Sequence, residues 1–335
     1  MEFTYFIGTD VSKNELDFAV MKGKDLLFHR EITNTPASIK AFVKELTKLP
    51  GFTLQATVFC MEHTGIYNNY ILESLHKSKA NICVEAASQI KSSLGNIRGK
   101  NDKVDSIRIA EYAYKCREEL RLWQPKREVV QRLAHLASTR SRMLEAQKAL
   151  GTTLREKEGF VQKTIVKENL KMCQMTLKAI REDLERIENA IQNIVESDPE
   201  LKHLFSLVTS VTGIGMVSAT QIIITTNEFK DINDPKKFAC YCGVAPFMRE
   251  SGQFKGKAKI SHMANKKVKS LLHMSAITAI QHNNDLKKFY ERKVKEEKKN
   301  KMSVINAVRN KLILRIFACV NQNRKYNKIY TNTLA

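Results

Sequence analysis

The chain has 335 residues, 43% of them hydrophobic and 27% charged, with only 13 Gly and 6 Pro, which excludes intrinsic disorder and collagen-like repeats. It has no run of about 18 apolar residues and no basic segment ahead of an apolar stretch at its start, so neither a membrane span nor a signal peptide is expected. Lys and Arg number 56 against 35 Asp and Glu, a formal charge of +21, and so basic a surface calls for a polyanionic partner, nucleic acid first.

Short β-prone runs come first, at Tyr5 to Thr9, Leu16 to Met21 and Leu26 to Glu31, followed by a helical pattern at Ser38 to Leu49. Strand and helix then alternate: Thr57 to Met61, Tyr67 to Lys77, Asn81 to Glu85, and a helix over Val104 to Cys116. Three strands on short connections, then strand-helix-strand-helix, predict a mixed α/β sheet over residues 1–124.

From Pro125 the strand signals vanish, and residues 125–199 read as a helical hairpin or coiled coil. Leu170, Cys173, Leu177, Ile180, Leu184, Ile187, Ile191 and Ile194 alternate spacings of three and four, a coiled-coil seam. A weaker stripe runs through Leu133, Leu136, Leu144, Leu150 and Leu154, so an antiparallel pair turning near Glu158 to Phe160 satisfies both, within one chain or between chains. Residues 200–335 form a third, mainly α segment. It opens on Gly213-Ile214-Gly215, either a turn that brings backbone amides to a phosphate or a tight turn without ligand. Residues 253 to 330 hold 20 basic against 4 acidic side chains, which concentrates the polyanion-binding charge at this end.

Asp10 and Glu62 each end an apolar strand, and Asp102 and Asp105 share one face at a helix start. Singly, each reads more simply as a turn or first-turn carboxylate. Together, in a strand-rich domain joined to a basic one, they are similar to the D-E-D-D set of the RuvC/ribonuclease H fold. Four converging carboxylates suit a hard divalent cation, Mg²⁺ or Mn²⁺. The seven Cys contain no C-x-x-C, Cys240-x-Cys242 lacks a second pair, and zinc is not expected; reduced thiols point to the cytosol.

The chain resembles a transposase of the IS110 family. Gly8-Thr9-Asp10-Val11-Ser12-Lys13 with Leu16-Asp17, Glu62-His63-Thr64-Gly65-Ile66-Tyr67 and Lys100-Asn101-Asp102-Lys103-Val104-Asp105 are each similar to a signature of that family's RuvC-like domain. Thr212-Gly213-Ile214-Gly215, Tyr241-Cys242-Gly243-Val244-Ala245-Pro246, Ser251-Gly252 and Met263-Ala264-Asn265-Lys266-Lys267 resemble its second domain. Where many members read Gly-Asn and then Leu-Arg, this chain has Ala264-Asn265 and Val268-Lys269.

The resemblance implies that Ser251 is the nucleophile that holds DNA as a phosphoserine; without it, Ser251 reads as a turn residue. It further implies metal ligation by Asp10, Glu62, Asp102 and Asp105, an element-encoded guide RNA, and a homodimer that assembles to a tetramer on DNA. The setting it implies is the bacterial cytoplasm, on the nucleoid. Arg249, Lys255, Lys257, Lys259, Lys266, Lys267 and Lys269 are the expected nucleic-acid contacts. Two rivals stand beside this reading: a metal-dependent nuclease that only hydrolyses, as a junction resolvase does, and a non-catalytic nucleic-acid-binding scaffold.

Overall fold

The computed structural model describes residues 2–94, 101–156, 160–251, 254–261 and 264–327; the side chains of residues 94, 153–156, 249, 250, 254, 255, 257 and 258 lie outside that description. The chain divides into two units, Met1–Pro125 and Lys126–Ala335.

In the first unit, strands β1 (Tyr5–Val11), β2 (Glu15–Lys22) and β3 (Asp25–Thr33) form an antiparallel meander. The turn between β2 and β3 is only two residues long and opens on Gly23, whose φ of +57° suits a tight hairpin. Helix α1 (Pro36–Leu46) leads to β4 (Thr57–Glu62), and α2 (Asn69–Lys77) leads to β5 (Asn81–Glu85), both parallel to β1. The sheet order is β3-β2-β1-β4-β5, the RuvC/ribonuclease H-like arrangement. Helices α3 (Ala87–Leu94) and α4 (Asp102–Lys115) follow.

Because strand side chains alternate, the sheet has two apolar faces. Tyr5, Ile7, Phe18, Val20, Phe59 and Met61 pack with Ile39 and Phe42 of α1 and Ile71 and Leu75 of α2. Phe6, Ala19, Val58, Cys60 and Cys83 pack with Ile109, Ala110 and Ala113 of α4. Gly8 lies on this second face, between Phe6 and Asp10. A Cβ there would stand 2.1 Å from the Ser106 carbonyl oxygen and 2.3 Å from the Ala110 nitrogen, so the backbone of α4 rests directly on β1.

The second unit is mainly helical: α5 (Glu128–Glu156), α6 (Lys163–Ser197), α7 (Pro199–Thr209), α8 (Met216–Thr226), α9 (Pro235–Tyr241), α10 (Lys266–His282), α11 (Asn284–Glu291) and α12 (Lys301–Asn321). Helices α5 and α6 pair. The expected turn residues Glu158 and Gly159 lie outside the described residues. Along the α6 seam, Ile180, Leu184, Ile191 and Ile194 are buried within the chain, whereas Leu170 is 40% exposed. Arg127 ties the start of this unit together: its guanidinium meets Asp198 at 2.9 Å, Glu200 at 3.3 Å and Glu228 at 2.5 Å. Glu228 stands in three consecutive left-handed residues, Asn227, Glu228 and Phe229, at φ of 49°, 57° and 63°.

Between α9 and α10 the chain forms two strands that the strand pattern does not announce, β6 (Pro246–Ser251) and β7 (Phe254–Ile260), paired antiparallel. The β7 sequence alternates lysine with Phe254, Gly256, Ala258 and Ile260, while in β6 the adjacent Phe247 and Met248 are 47% and 68% exposed.

Candidate active site

The sheet brings the four predicted carboxylates to one edge. Asp10 follows Gly8 by two residues on the α4 face of β1, and Thr9 pairs in register with Met61, so Glu62 stands beside Asp10 at the end of the neighbouring strand. The backbone contact at Gly8 draws the first turn of α4 over the same edge, and with it Asp102 and Asp105. Asn101 caps that helix by accepting from the Lys103 N–H at 3.0 Å, and Lys100, before it, lies outside the described residues.

Burial pushes the Asp10 carboxyl up to about 6, and the charges of Asp102, Asp105 and Glu62 push the same way. Asp10 therefore feels all three partners. Among the described residues no three acidic, His or Cys side chains are already gathered at ion-binding spacing, so the four carboxylates share an edge and repel one another without closing on a point. An all-oxygen, strongly negative donor set on a partly buried edge fits a hard divalent cation, whose charge would relieve that repulsion.

Several supporting residues were not singled out from the sequence. Arg108 donates to Asp105 at 2.8 Å, which holds one carboxylate by an i,i+3 pair. Buried Asn68 donates to the Glu62 carbonyl at 3.0 Å and accepts from the Thr64 N–H at 2.7 Å, fixing the turn that leaves β4. Asp17, opposite Asp10 in register, is buried and bonded to His29 at 2.8 Å. Asn101 had a sequence signal, a polar residue ahead of an acidic first turn, and so did Arg108, three residues after Asp105 on the same helix. The others depend on partners that chain order does not reveal.

Ser251 is the last residue of β6, exposed, and paired in register with Phe254; Gly252 lies outside the described residues. It belongs to a strand end, where its sequence alone reads as a loop. Arg249, Lys255 and Lys257 are on the same two strands, with side chains outside the described part, and Lys259 is exposed. Ser251 and the carboxylates belong to different units.

Lys266, Lys267 and Lys269 occupy the first turn of α10, capped by Asn265, which accepts from the Val268 N–H at 3.0 Å. Three cations at the positive end of a helix dipole oppose helix stability, which suits residues that face phosphates. Partial burial pushes the Lys267 ammonium down. A cleft of about 770 Å³ lies beside this turn, lined in part by Arg140, Lys148, Lys266 and Lys267, with Glu145 and Glu188 among them. Gly213 has a packing role: a Cβ there would stand 2.5 Å from the Ser275 carbonyl oxygen of α10, and its φ is +94°.

Comparison with known proteins bears on the whole arrangement. The family model for the DEDD transposases of the IS110 group, described as Transposase, matches residues 7–157, and the one described as Transposase IS116/IS110/IS902 family matches residues 205–291. The pilin gene-inverting protein of Moraxella bovis is 28% identical over 238 residues, covering 70% of each chain, and that of Moraxella lacunata is 27% identical over the same length. RuvC of Thermus thermophilus, solved in complex with a Holliday junction substrate, is similar over 36% of this chain and 99% of its own, at 12% identity and a TM-score of 0.29. The first family model spans all four carboxylates and continues into α5, and the second lies within the second unit. The protein belongs to the IS110 family of transposases, enzymes that cleave and rejoin DNA.

Proposed function

We propose that this transposase cuts DNA with Ser251 and holds a divalent cation, Mg²⁺ or Mn²⁺, between Asp10, Glu62, Asp102 and Asp105. One observation supports the metal reading above the rest: Asp10 is raised to about 6 on an edge it shares with three other carboxylates. When bound, the cation supplies Lewis-acid polarisation of the scissile phosphate. Asp105 stays anchored through Arg108, and the Asn68 turn keeps Glu62 at the edge.

In the cutting step the Ser251 Oγ attacks phosphorus and the bond from phosphorus to one deoxyribose oxygen breaks. The serine proton passes to solvent, and the departing oxygen gains one as it becomes a hydroxyl. A phosphoserine remains, and attack on it by an incoming deoxyribose hydroxyl rejoins the strand and frees the serine. Arg249, Lys255, Lys257 and Lys259 hold phosphates near the serine, and Lys266, Lys267 and Lys269 hold others at α10.

Three working parts carry out this chemistry: a metal-binding domain over 1–124, a helical hairpin over 125–199, and a DNA-binding, serine-bearing domain over 200–335. Target choice falls to an element-encoded guide RNA, which suits a lysine-rich surface that reads shape and phosphate. Subunits associate as dimers that form a tetramer on DNA. The exposed Leu170, Met172 and Met175 on α6, at 40%, 82% and 80% exposure, support that association. The working site is the bacterial nucleoid.

The test incubates the protein with Mg²⁺, end-labelled DNA spanning the joined element ends, and the transcript of the element's flank, then runs a denaturing protein gel. Label should migrate with the 38.3 kDa chain and vanish with Ser251→Ala. Cleaved DNA without protein-bound label, unaffected by Ser251→Ala, would transfer the chemistry to the carboxylates and make the enzyme hydrolytic.

A further inference from the structure

Two ordinarily charged residues are buried among those described, Asp17 and Arg309. Asp17 has His29; Arg309, 5% exposed on α12, has no carboxylate partner among the described residues. Its Nη1 donates to Asn306 Oδ1 at 3.4 Å, its Nη2 donates to His273 Nδ1 on α10, and its Nε has no partner among the described residues. A guanidinium buried without an anion is destabilising, and an apolar side chain of similar volume in its place is often neutral or stabilising. What the arginine supplies is therefore orientation of the groups it touches.

Those groups lead to the serine. Asn306 Nδ2 donates to the Val244 carbonyl at 2.8 Å, two residues before β6 begins. An asparagine amide can present either end. By donating to Oδ1, Arg309 leaves Nδ2 facing Val244. His273 accepts at Nδ1, which puts its proton on Nε2, and burial together with Arg309 pushes the imidazole down so that it stays a neutral acceptor.

The root of β7 is tied at the same place. Asn265 donates to the Tyr241 carbonyl at 3.0 Å and to the Tyr241 hydroxyl at 2.9 Å. Gly243, at φ +61°, lies so close to Ala264 that a Cβ would stand 2.4 Å from its methyl. A two-stranded ribbon is marginal by itself, so the direction in which β6 and β7 carry Ser251 is set at this root.

We infer that Arg309, Asn306 and His273 form a strut that aims the Ser251 ribbon, making them positioning residues for strand cleavage. The inference rests on the reading of Ser251 as nucleophile. Asn306 and Arg309 lie beyond the stretch 205–291 matched by the family model.

The test uses Arg309→Met and Asn306→Asp in the full chain. The first removes the buried charge; the second gives Arg309 an anion but takes away the donor to Val244. Both variants should melt no lower than the wild type and bind the junction DNA with unchanged affinity. By hydrogen exchange and mass spectrometry, peptides within 244–261 should exchange about tenfold faster, with α7 and α8 unchanged. Transfer of label to the protein should slow roughly 10- to 100-fold. Unchanged exchange at 244–261, or slowing that only tracks a lower melting temperature, would overturn the strut. Ser251→Ala runs alongside: if it leaves cleavage intact, the serine reading fails, while the exchange data still judge the strut.

Discussion

The two regions proposed to carry the chemistry are built in opposite ways. The carboxylate edge is formed by two parallel strands inside a five-stranded sheet and by a helix whose backbone touches β1 at Gly8, so its geometry follows from a packed core. The serine ribbon has two strands, exposed apolar side chains at Phe247 and Met248, and a few polar ties at its root. A rigid edge suits charges that must be held together against repulsion. A ribbon fixed at one end can meet DNA and still deliver its serine along a set direction.

The contrast is sharpest where stability and activity part. Asp10→Asn should reduce DNA cleavage by roughly 10³-fold, the scale of losing one preorganised electrostatic group, yet raise the melting temperature of the metal-free protein. Cleavage gels and thermal melts on the same samples read both, and an unchanged cleavage rate would favour the scaffold reading. The packing basis of the edge is tested next by Gly8→Ala, which forces α4 off β1 and should cost about 3 kcal/mol in denaturant unfolding. Gly65→Ala, at φ +75° with nothing within 4 Å of an added Cβ, should cost only about 1 kcal/mol of backbone strain.

A smaller effect concerns protons. Burial and its acidic neighbours keep folded Asp10 protonated up to about pH 6, above the ordinary aspartate value of 3.8. Between those values the folded state binds more protons than the unfolded, so the contribution of this group to stability falls as pH rises through that window. Melts of the metal-free protein should show that decline, and Asp10→Asn should flatten it. Mg²⁺ binding at pH 6 should release about half a proton from Asp10, measured by calorimetry in buffers of different ionisation enthalpy. Smallest of all, Lys266→Ala and Lys267→Ala should each lower the slope of log affinity against log salt by about 0.9, with no preference among DNA sequences.

How much of this was readable in the sequence follows the same division. Asp10 and Glu62 were visible because a carboxylate after an apolar strand breaks its pattern, and Asp102 with Asp105 because i,i+3 spacing gives one helix face. The mixed α/β sheet follows from connection length, two short turns and then two helical crossovers, whereas its strand order is not written in the spacing. Gly8 was invisible as a packing requirement, since the helix that rests on it begins about ninety residues later in the chain. Strands β6 and β7 are hard to read because β6 has no alternation and the alternate positions of β7 include Gly256 and Ala258, a weak apolar signal beside three lysines. Gly213 read equally well as a phosphate turn or a tight turn, and its contact with α10 gives it a packing role. Arg309 carried no signal at all: an arginine in an apolar helix looks like a surface residue until its surroundings are known.

Arg127 has a consequence for how the protein can be divided. It lies two residues after Pro125, ahead of the first helical residue Glu128, and it grips Asp198 and Glu228, acids far away in sequence. A fragment cut at Glu128 would retain all the helices of the second unit but take the arginine from the Glu228 carboxylate, 6% exposed, leaving it only Lys230 at 3.1 Å in the left-handed turn. The smallest separable piece therefore starts one side chain earlier than its helices do, and modularity here is set by an ion pair.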